Sequence, residues 1–375
     1  MRPFALLSLL LLGILPPAFA LKPVTVAQLE QLVSQNQGKS DQGKSDAKVA
    51  AQLADLQLTE RASAAHLARW EVEFPGPRTR EALIELADAS SFLGLPASDI
   101  PAGPPPDREA HRQMLSRTVD YAARTLRSLP NFMATRETTH FEDTPPQQRT
   151  ENAGSIASGA TSSTLNSVNL ATKTTEYQPL HSTGKSSVAV AYRDGQEVED
   201  IPGKTRKREA AAIGLTTSGE FGPILAVVLA DAFRSHMEWG YWEQGANGPI
   251  AVYRYLVPQS QSHYLVEFPH GPDLIRTYPT YRGEIAIDST TGSVLRLTAV
   301  ADLAPPFQNI DVAILVEFAP VVIGERTYIC PVKGVALSKM PVAGNNSAAM
   351  QTRLNDVAFT RYHLFRADAR IVTAN

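Results

Sequence analysis

The sequence predicts an α+β protein: a small N-terminal helical module, then an antiparallel, incomplete β-barrel-like sheet packed on one or two helices. Three observations carry this. Apolar residues recur at helical spacing up to about residue 100. A proline-rich connector then precedes one long amphipathic segment. From Val188 onward the pattern becomes short alternating runs separated by turn residues, and 15 of the 27 aromatic residues fall after residue 236, which puts the main core or cavity there.

Residues 1–20 read as a secretory signal peptide. Arg2 is the positive end, Phe4–Leu15 is the apolar run, and Ala18-Phe19-Ala20 is an A-x-A cleavage site that leaves Leu21 as the first residue. The run is shorter than the roughly 20 apolar residues of a bilayer span. The expected location is therefore exported, periplasmic or extracellular, and soluble once the segment is removed. Such a compartment is oxidising, so the single Cys330 should be buried.

The helical module spans 24–100. Thr25-Val26-Ala27-Gln28 is a capping-box pattern, and Val26, Leu29, Leu32 and Val33 follow at helical spacing. Val49, Leu53 and Leu56 mark a second helix, and Thr59 can cap a third that carries Leu67, Trp70 and Phe74. Leu83, Leu86 and Ala87 mark a fourth. Residues 101–106 form the connector, and the β-rich domain runs over 107–375. It opens on a helix from Asp107 to near Leu129, with Met114, Tyr121, Ala122, Thr125, Leu126 and Leu129 on one face and Arg108, Arg112, Arg117 and Arg127 elsewhere.

Met133–Phe141 alternates as a strand. Residues 143–187 are Ser-, Thr-, Asn- and Gly-rich with little to bury and read as a disordered insertion or long mobile loop. A hairpin follows at Val188–Ile201, then a helix at Phe221–Ser235, then strands at Met237–Glu243, Ile250–Val257, Tyr264–Phe268, Glu284–Asp288, Val294–Ala301, Val312–Phe318, Thr327–Leu337 and Val357–Phe365.

Composition excludes several functions. The chain has 375 residues, about two domains' worth, and a net charge of −3, which gives no general reason to meet nucleic acid. One cysteine excludes a disulfide framework and a cysteine-rich zinc module. None of the eight histidines forms H-x-H or H-E-x-x-H, so no metal and no cofactor is expected. Residues Gly38–Ser45 match the phosphate-loop expression, but a helix end precedes them where a strand is required. The match arises from a tandem QGKSD repeat at 37–46, and no nucleotide is expected.

His270 and Asp273 share a loop, Glu238 and Glu243 flank aromatics as glycosidase carboxylates do, and Lys204–Arg208 is the basic cluster. Each has a plainer reading as turn, edge strand or solvated loop. No G-x-S-x-G elbow is present. No enzyme is expected.

Trp239, Tyr241, Trp242, Tyr253, Tyr255, Tyr264 and Phe268 are the candidate ligand-binding residues. Tyr253 and Tyr255 share one face of their strand, while Ile250, Val252 and Leu256 share the other. A sheet apolar on both faces must be covered twice or must line a cavity.

The segment Ile287-Asp288-Ser289-Thr290-Thr291-Gly292-Ser293-Val294-Leu295-Arg296 is similar to a strand–turn–strand hairpin of the outer-membrane lipoprotein carrier and lipoprotein-sorting superfamily. Val321–Pro331 resembles a later hairpin of those proteins. The resemblance covers roughly 107–375, while the N-terminal module and the 143–187 insertion depart from it. It implies an incomplete barrel over helices with an apolar cavity for acyl chains. The whole chain also resembles secreted bacterial proteins, which adds no mechanism. The expected function is a non-enzymatic envelope protein that binds an acyl-chain ligand or a lipidated partner. The alternative is an envelope protein-interaction or sensor module with no small-molecule ligand.

Overall fold

A computed structural model describes residues 21–36, 44–146, 148–151, 171–174, 176–193, 196–199, 223–246, 248–270, 273–342 and 349–364. Ala18 and Ala20 of the signal segment, Gly38–Gly43, the basic run 204–208 and Asn345–Ser347 lie outside the described residues.

The N-terminal module contains β1 (Lys22–Val24), α1 (Val26–Asn36), α2 (Lys44–Ala54), β2 (Leu56–Leu58), α3 (Ala64–Glu73) and α4 (Pro77–Ala89). The expected capping box is present. Thr25 Oγ1 accepts from Gln28 N at 3.2 Å, and Gln28 Oε1 accepts from Thr25 N at 3.0 Å. Thr59 does not cap the third helix. It follows β2 and donates both its N–H and its hydroxyl to Val24 O, so Ser63 takes the cap role, paired reciprocally with His66. Gly76 has no side chain to cap α4, and Asp46 of α2 supplies it by accepting from Arg78 N, Thr79 N and the Thr79 hydroxyl. Leu29, Trp70 and Leu83 are fully buried in the module's own core, and β1 and β2 add a short parallel pair that periodicity did not announce.

The rest of the chain is α5 (Arg108–Ser128), β3 (Phe132–Thr144), β4 (Gln148–Glu151), β5 (Ala171–Thr174), β6 (Gln178–Arg193), β7 (Gln196–Glu199), α6 (Pro223–Arg234), β8 (His236–Gly245), β9 (Gly248–Val257), β10 (Val266–His270), β11 (Asp273–Thr277), β12 (Thr280–Asp288), β13 (Val294–Asp302), β14 (Asp311–Ile323), β15 (Arg326–Pro341) and β16 (Met350–Leu364). Ten strands form one antiparallel sheet in the order β7-β6-β3-β16-β15-β14-β13-β12-β9-β8. Its edges, β7 and β8, do not pair with each other, so the sheet is open rather than closed into a barrel.

The disordered insertion is corrected at both ends. β3 runs on to Thr144 and β6 begins at Gln178, and the two pair from Phe132↔Tyr192 to Thr144↔Gln178. Composition hid this because a ladder uses backbone N–H and C=O groups, and an exposed Ser- and Thr-rich strand needs no apolar face to form one. Residues 152–170 lie outside the described residues.

The sheet is covered twice. On one face Met114, Leu115, Tyr121 and Ala122 of α5 and Leu225, Val228, Leu229 and Ala232 of α6 pack on Tyr253, Tyr255, Ile285, Leu297 and Ile314. On the other, Ala89 and Phe92 of the module pack on Phe141, Leu315, Val335 and Leu354, and Leu95 packs on Tyr241, Val252 and Ala286. The module is therefore the second cover of the sheet, which explains the apolar residues on both of its faces.

Asp288 and Gly292 shape the β12–β13 turn. Asp288 Oδ1 accepts from Thr290 N at 2.9 Å and Thr291 N at 2.8 Å. Gly292 has φ +77°, and a Cβ there would stand 2.6 Å from the Arg117 backbone of α5.

Candidate functional site

The seven aromatic candidates do not form one surface. The reason starts at Gly240, an extra residue that shifts the β8–β9 register between Trp239 and Tyr241. Residues 239 and 242 would ordinarily point to opposite faces. The bulge puts both indoles on the α5–α6 face, 4.8 Å apart between centroids, and Trp239 meets Tyr253 edge-on at 5.6 Å. Tyr241 is turned to the module face, where its hydroxyl donates to Glu284 at 2.9 Å.

Tyr253, Tyr255, Tyr264 and Phe268 are buried in the main core. The Tyr255 hydroxyl donates to Thr298 O, and burial holds that phenol far above its ordinary range. Tyr264 lies beside Tyr281, whose hydroxyl donates to Asp231 Oδ2 at 2.8 Å. Asp231, the charge inside the apolar helix α6, also accepts from His263 N at 2.8 Å and pairs with His263 Nδ1 at 2.7 Å. It ties the loop before β10 to α6.

An open groove of about 480 Å³ lies on the same side of the sheet, within the usual range for ligand pockets. Arg108, His111, Arg112, Leu115, Ser116 and Val119 of α5 and Phe233 of α6 line it. Asp107 begins α5 by accepting from Ala110 N at 2.8 Å, which places Arg108, His111 and Arg112 on its first two turns. Leu115 and Phe233 rest on the main core, and Val119 is 47% exposed at the open side.

His111 meets Tyr253 edge-on at 5.1 Å, so the groove floor adjoins the aromatic cluster. The Tyr253 hydroxyl is buried without a hydrogen-bond partner among the described residues, and burial pushes it up to about 12. Arg112 is held by Glu109 at 2.6 Å, while Arg108 makes no ion pair among the described residues.

The connector closes over the neighbouring indole, with Trp242 Nε1 donating to Pro104 O at 2.9 Å. A second groove, of about 560 Å³, lies where Met133, Val322, Gly324 and Tyr362–Leu364 meet. It carries no arginine or lysine.

The other sequence candidates separate. Glu243 is bound by Arg296 and Arg61, while Glu238 is exposed beside His236, so the two do not form an acid/base pair. His270 lies against Phe307. Cys330 is buried and its thiol is pushed up to about 12 by burial, as expected of a structural cysteine. The element before Gly38–Ser45 is helix α1, not the strand a phosphate loop requires. Among the described residues no group of three or more His, Cys, Asp or Glu is arranged to hold a metal, and no helix is long and apolar enough to cross a membrane.

Sequence reading placed Arg108 and Arg112 off the apolar face of their helix and did not count them as site residues. The available signal was their i, i+4 spacing beside Leu115 and Val119, which puts cations at the end of an apolar stripe. Comparison with protein-family models, curated proteins and solved structures gives no match to this chain.

Proposed function

We propose that the protein is an exported, non-enzymatic binding protein whose α5–α6 groove takes the acyl chain of an anionic amphiphile. One observation carries this reading: an apolar trough of Leu115, Val119 and Phe233 ends at Arg108, which has no carboxylate partner among the described residues. A chain lying on that trough gains up to about 0.8 kcal/mol for each methylene it buries. Its anionic head meets Arg108. The reading also rests on the resemblance of 107–375 to the lipoprotein-carrier superfamily, drawn from the Ile287–Arg296 and Val321–Pro331 segments. The acyl chain then sits at the α5–α6 surface rather than among Tyr253, Tyr255, Tyr264 and Phe268, which core neighbours already surround.

Titration with a fluorescent long-chain fatty acid tests this. Saturable binding that palmitate displaces is expected, weakened about tenfold or more by Val119→Asp or by Arg108→Glu. Absence of saturable binding to the unaltered protein removes the reading.

A second reading, an envelope interaction module, is favoured by the solid cover on both faces of the sheet. It becomes the working account if no lipid binds and crosslinking in the native compartment captures a defined protein on the α5–α6 face.

A further inference from the structure

The face of the sheet beneath the helical module carries a row of charges. Arg296 of β13 stands opposite Glu317 of β14, and Glu317 stands opposite Lys333 of β15. Asp356 of β16 lies 3.6 Å from Lys333 Nζ. The module adds Asp88, whose Oδ1 is 2.6 Å from the same ammonium and whose Oδ2 is buried without a partner among the described residues. One turn earlier on α4, Glu85 is also buried, and it makes no hydrogen bond or ion pair among the described residues.

Asp88, Glu317 and Asp356 thus crowd around Lys333, while Glu85 adjoins Asp88 on the same helix rather than the ammonium. One ammonium cannot neutralise those three and serve Glu85 as well, and a buried carboxylate with no cation of its own is costly to ionise. Burial pushes Glu85 up to about 8, with the Asp88 charge adding to it, and burial raises Asp88 as well against the opposing pull of Lys333. Burial alone would pull Lys333 down, but Asp88 and Asp356 outweigh it and keep the lysine charged.

The remaining charged groups around α4 do not relieve Glu85. Lys185 of β6 lies 3.8 Å from Glu81, and Arg80 is bound to Glu71 of α3. Asp46 of α2 caps the start of α4. Tyr177, ahead of β6, is raised by burial and then by the charges of Asp143 and Glu85.

The apolar part of this contact is small, with Ala89, Phe92 and Leu95 of the module facing the sheet. Such a polar contact between two separately cored parts of a chain is the kind that opens reversibly.

We propose that the helical module is a proton-controlled cap on the sheet, seated firmly while Glu85 carries a proton and loosened from β14–β16 when that proton leaves. The seated state holds the proton more tightly than the open state. Docking is therefore strongest below the ordinary carboxylate value of 4.5 and weakens as pH rises to about 8. For a single proton the docking constant falls up to about tenfold per pH unit within that window.

Thiol protection in the full-length chain tests this. Ala89→Cys puts a thiol in the module–sheet contact, and the native Cys330, in a sheet cluster the module does not touch, reports opening of the sheet itself. Each labelling rate is divided by that of the exposed variant Val72→Cys at the same pH. Between about pH 5.5 and about pH 8.5, protection of the Ala89→Cys thiol should fall on the order of a hundredfold while Cys330 stays protected. Adding Glu85→Gln should reduce that fall by about tenfold or more, the remainder belonging to Asp88. Protection at position 89 that does not change with pH overturns the proposal. So does an equal fall at Cys330, or an unchanged fall with Glu85→Gln. If the Glu85 variant does not fold, the two native-sequence profiles decide between the same outcomes.

Discussion

Replacing Glu243 with alanine tests the claim that charge, more than apolar area, seats the module on the β8 side of the sheet. Glu243 Oε1 and Oε2 accept from Arg296 Nη1 at 2.9 Å and Nη2 at 2.7 Å, and Oε2 also accepts from Arg61 Nη2 at 3.1 Å. The side chains of Arg296, Arg61 and Glu243 are 11%, 6% and 15% exposed, so solvent screens these contacts little. Removing the shared carboxylate leaves two buried guanidinium groups facing each other across a cavity. Glu284 is the nearest substitute, and it stands 3.8 Å from Arg61 Nη1. Breaking one buried pair costs about 3–5 kcal/mol, and this change breaks a triad, so a loss of about 4 kcal/mol is expected. Urea unfolding at neutral pH measures it.

The acid limb supplies a second readout of the same triad. Burial alone would raise the Glu243 carboxyl, but Arg296 and Arg61 outweigh it and hold it below the usual range. Its contribution is therefore present above the ordinary carboxylate pKa and is lost as pH falls through the lowered one, so the alanine variant should lose less stability on acidification than the parent. A stability change under about 1 kcal/mol at neutral pH, or an unaltered acid limb, would refute the reasoning.

Three further predictions follow from other parts of the molecule. Gly283→Ala puts a Cβ 1.9 Å from the Thr298 carbonyl oxygen in the middle of the β12–β13 ladder, so it should cost about 3 kcal/mol or prevent folding, as read by thermal melting. Cys330 should resist maleimide in the native state and react on unfolding, because its thiol is buried and raised to about 12; fast native labelling would contradict this burial. N-terminal sequencing of protein recovered from the exported fraction should begin at Leu21, and an intact Met1 would remove the export assignment.

Periodicity exposes most of the fold. Helices with a clean apolar stripe were legible, such as α5 with its Asp107 cap, and so were strands with alternating apolar residues, such as β9 and β13. Three features were not. β6 extends through Ser- and Thr-rich sequence because backbone pairing leaves little side-chain trace. β11 has only Leu274 and Ile275 to mark it. The Gly240 bulge reverses the facing of Trp242, and one extra residue in an edge strand cannot be seen in a spacing rule that assumes a period of two.

The candidate site was legible only in part. Five of the seven aromatics are buried, four in the main core and Tyr241 under the module, because a sheet covered on both sides buries aromatic residues wherever it carries them. The cations at the groove are visible in the sequence only as the polar side of α5, since an arginine on a solvated helix looks the same whether or not a trough ends beside it. The second cover was hidden for a different reason. Arg61, Asp88 and Glu85 are charged residues in a module that looked self-contained, and charge at a buried contact between two parts of a chain has no periodicity to betray it.

The central claim, that the α5–α6 groove holds an acyl chain, is tested most directly by native mass spectrometry of the full protein purified gently from its own compartment. The account predicts added mass that organic solvent releases as an anionic lipid, and its loss from the Val119→Asp variant. A clean protein mass that stays unshifted after incubation with fatty acids and phospholipids would contradict it.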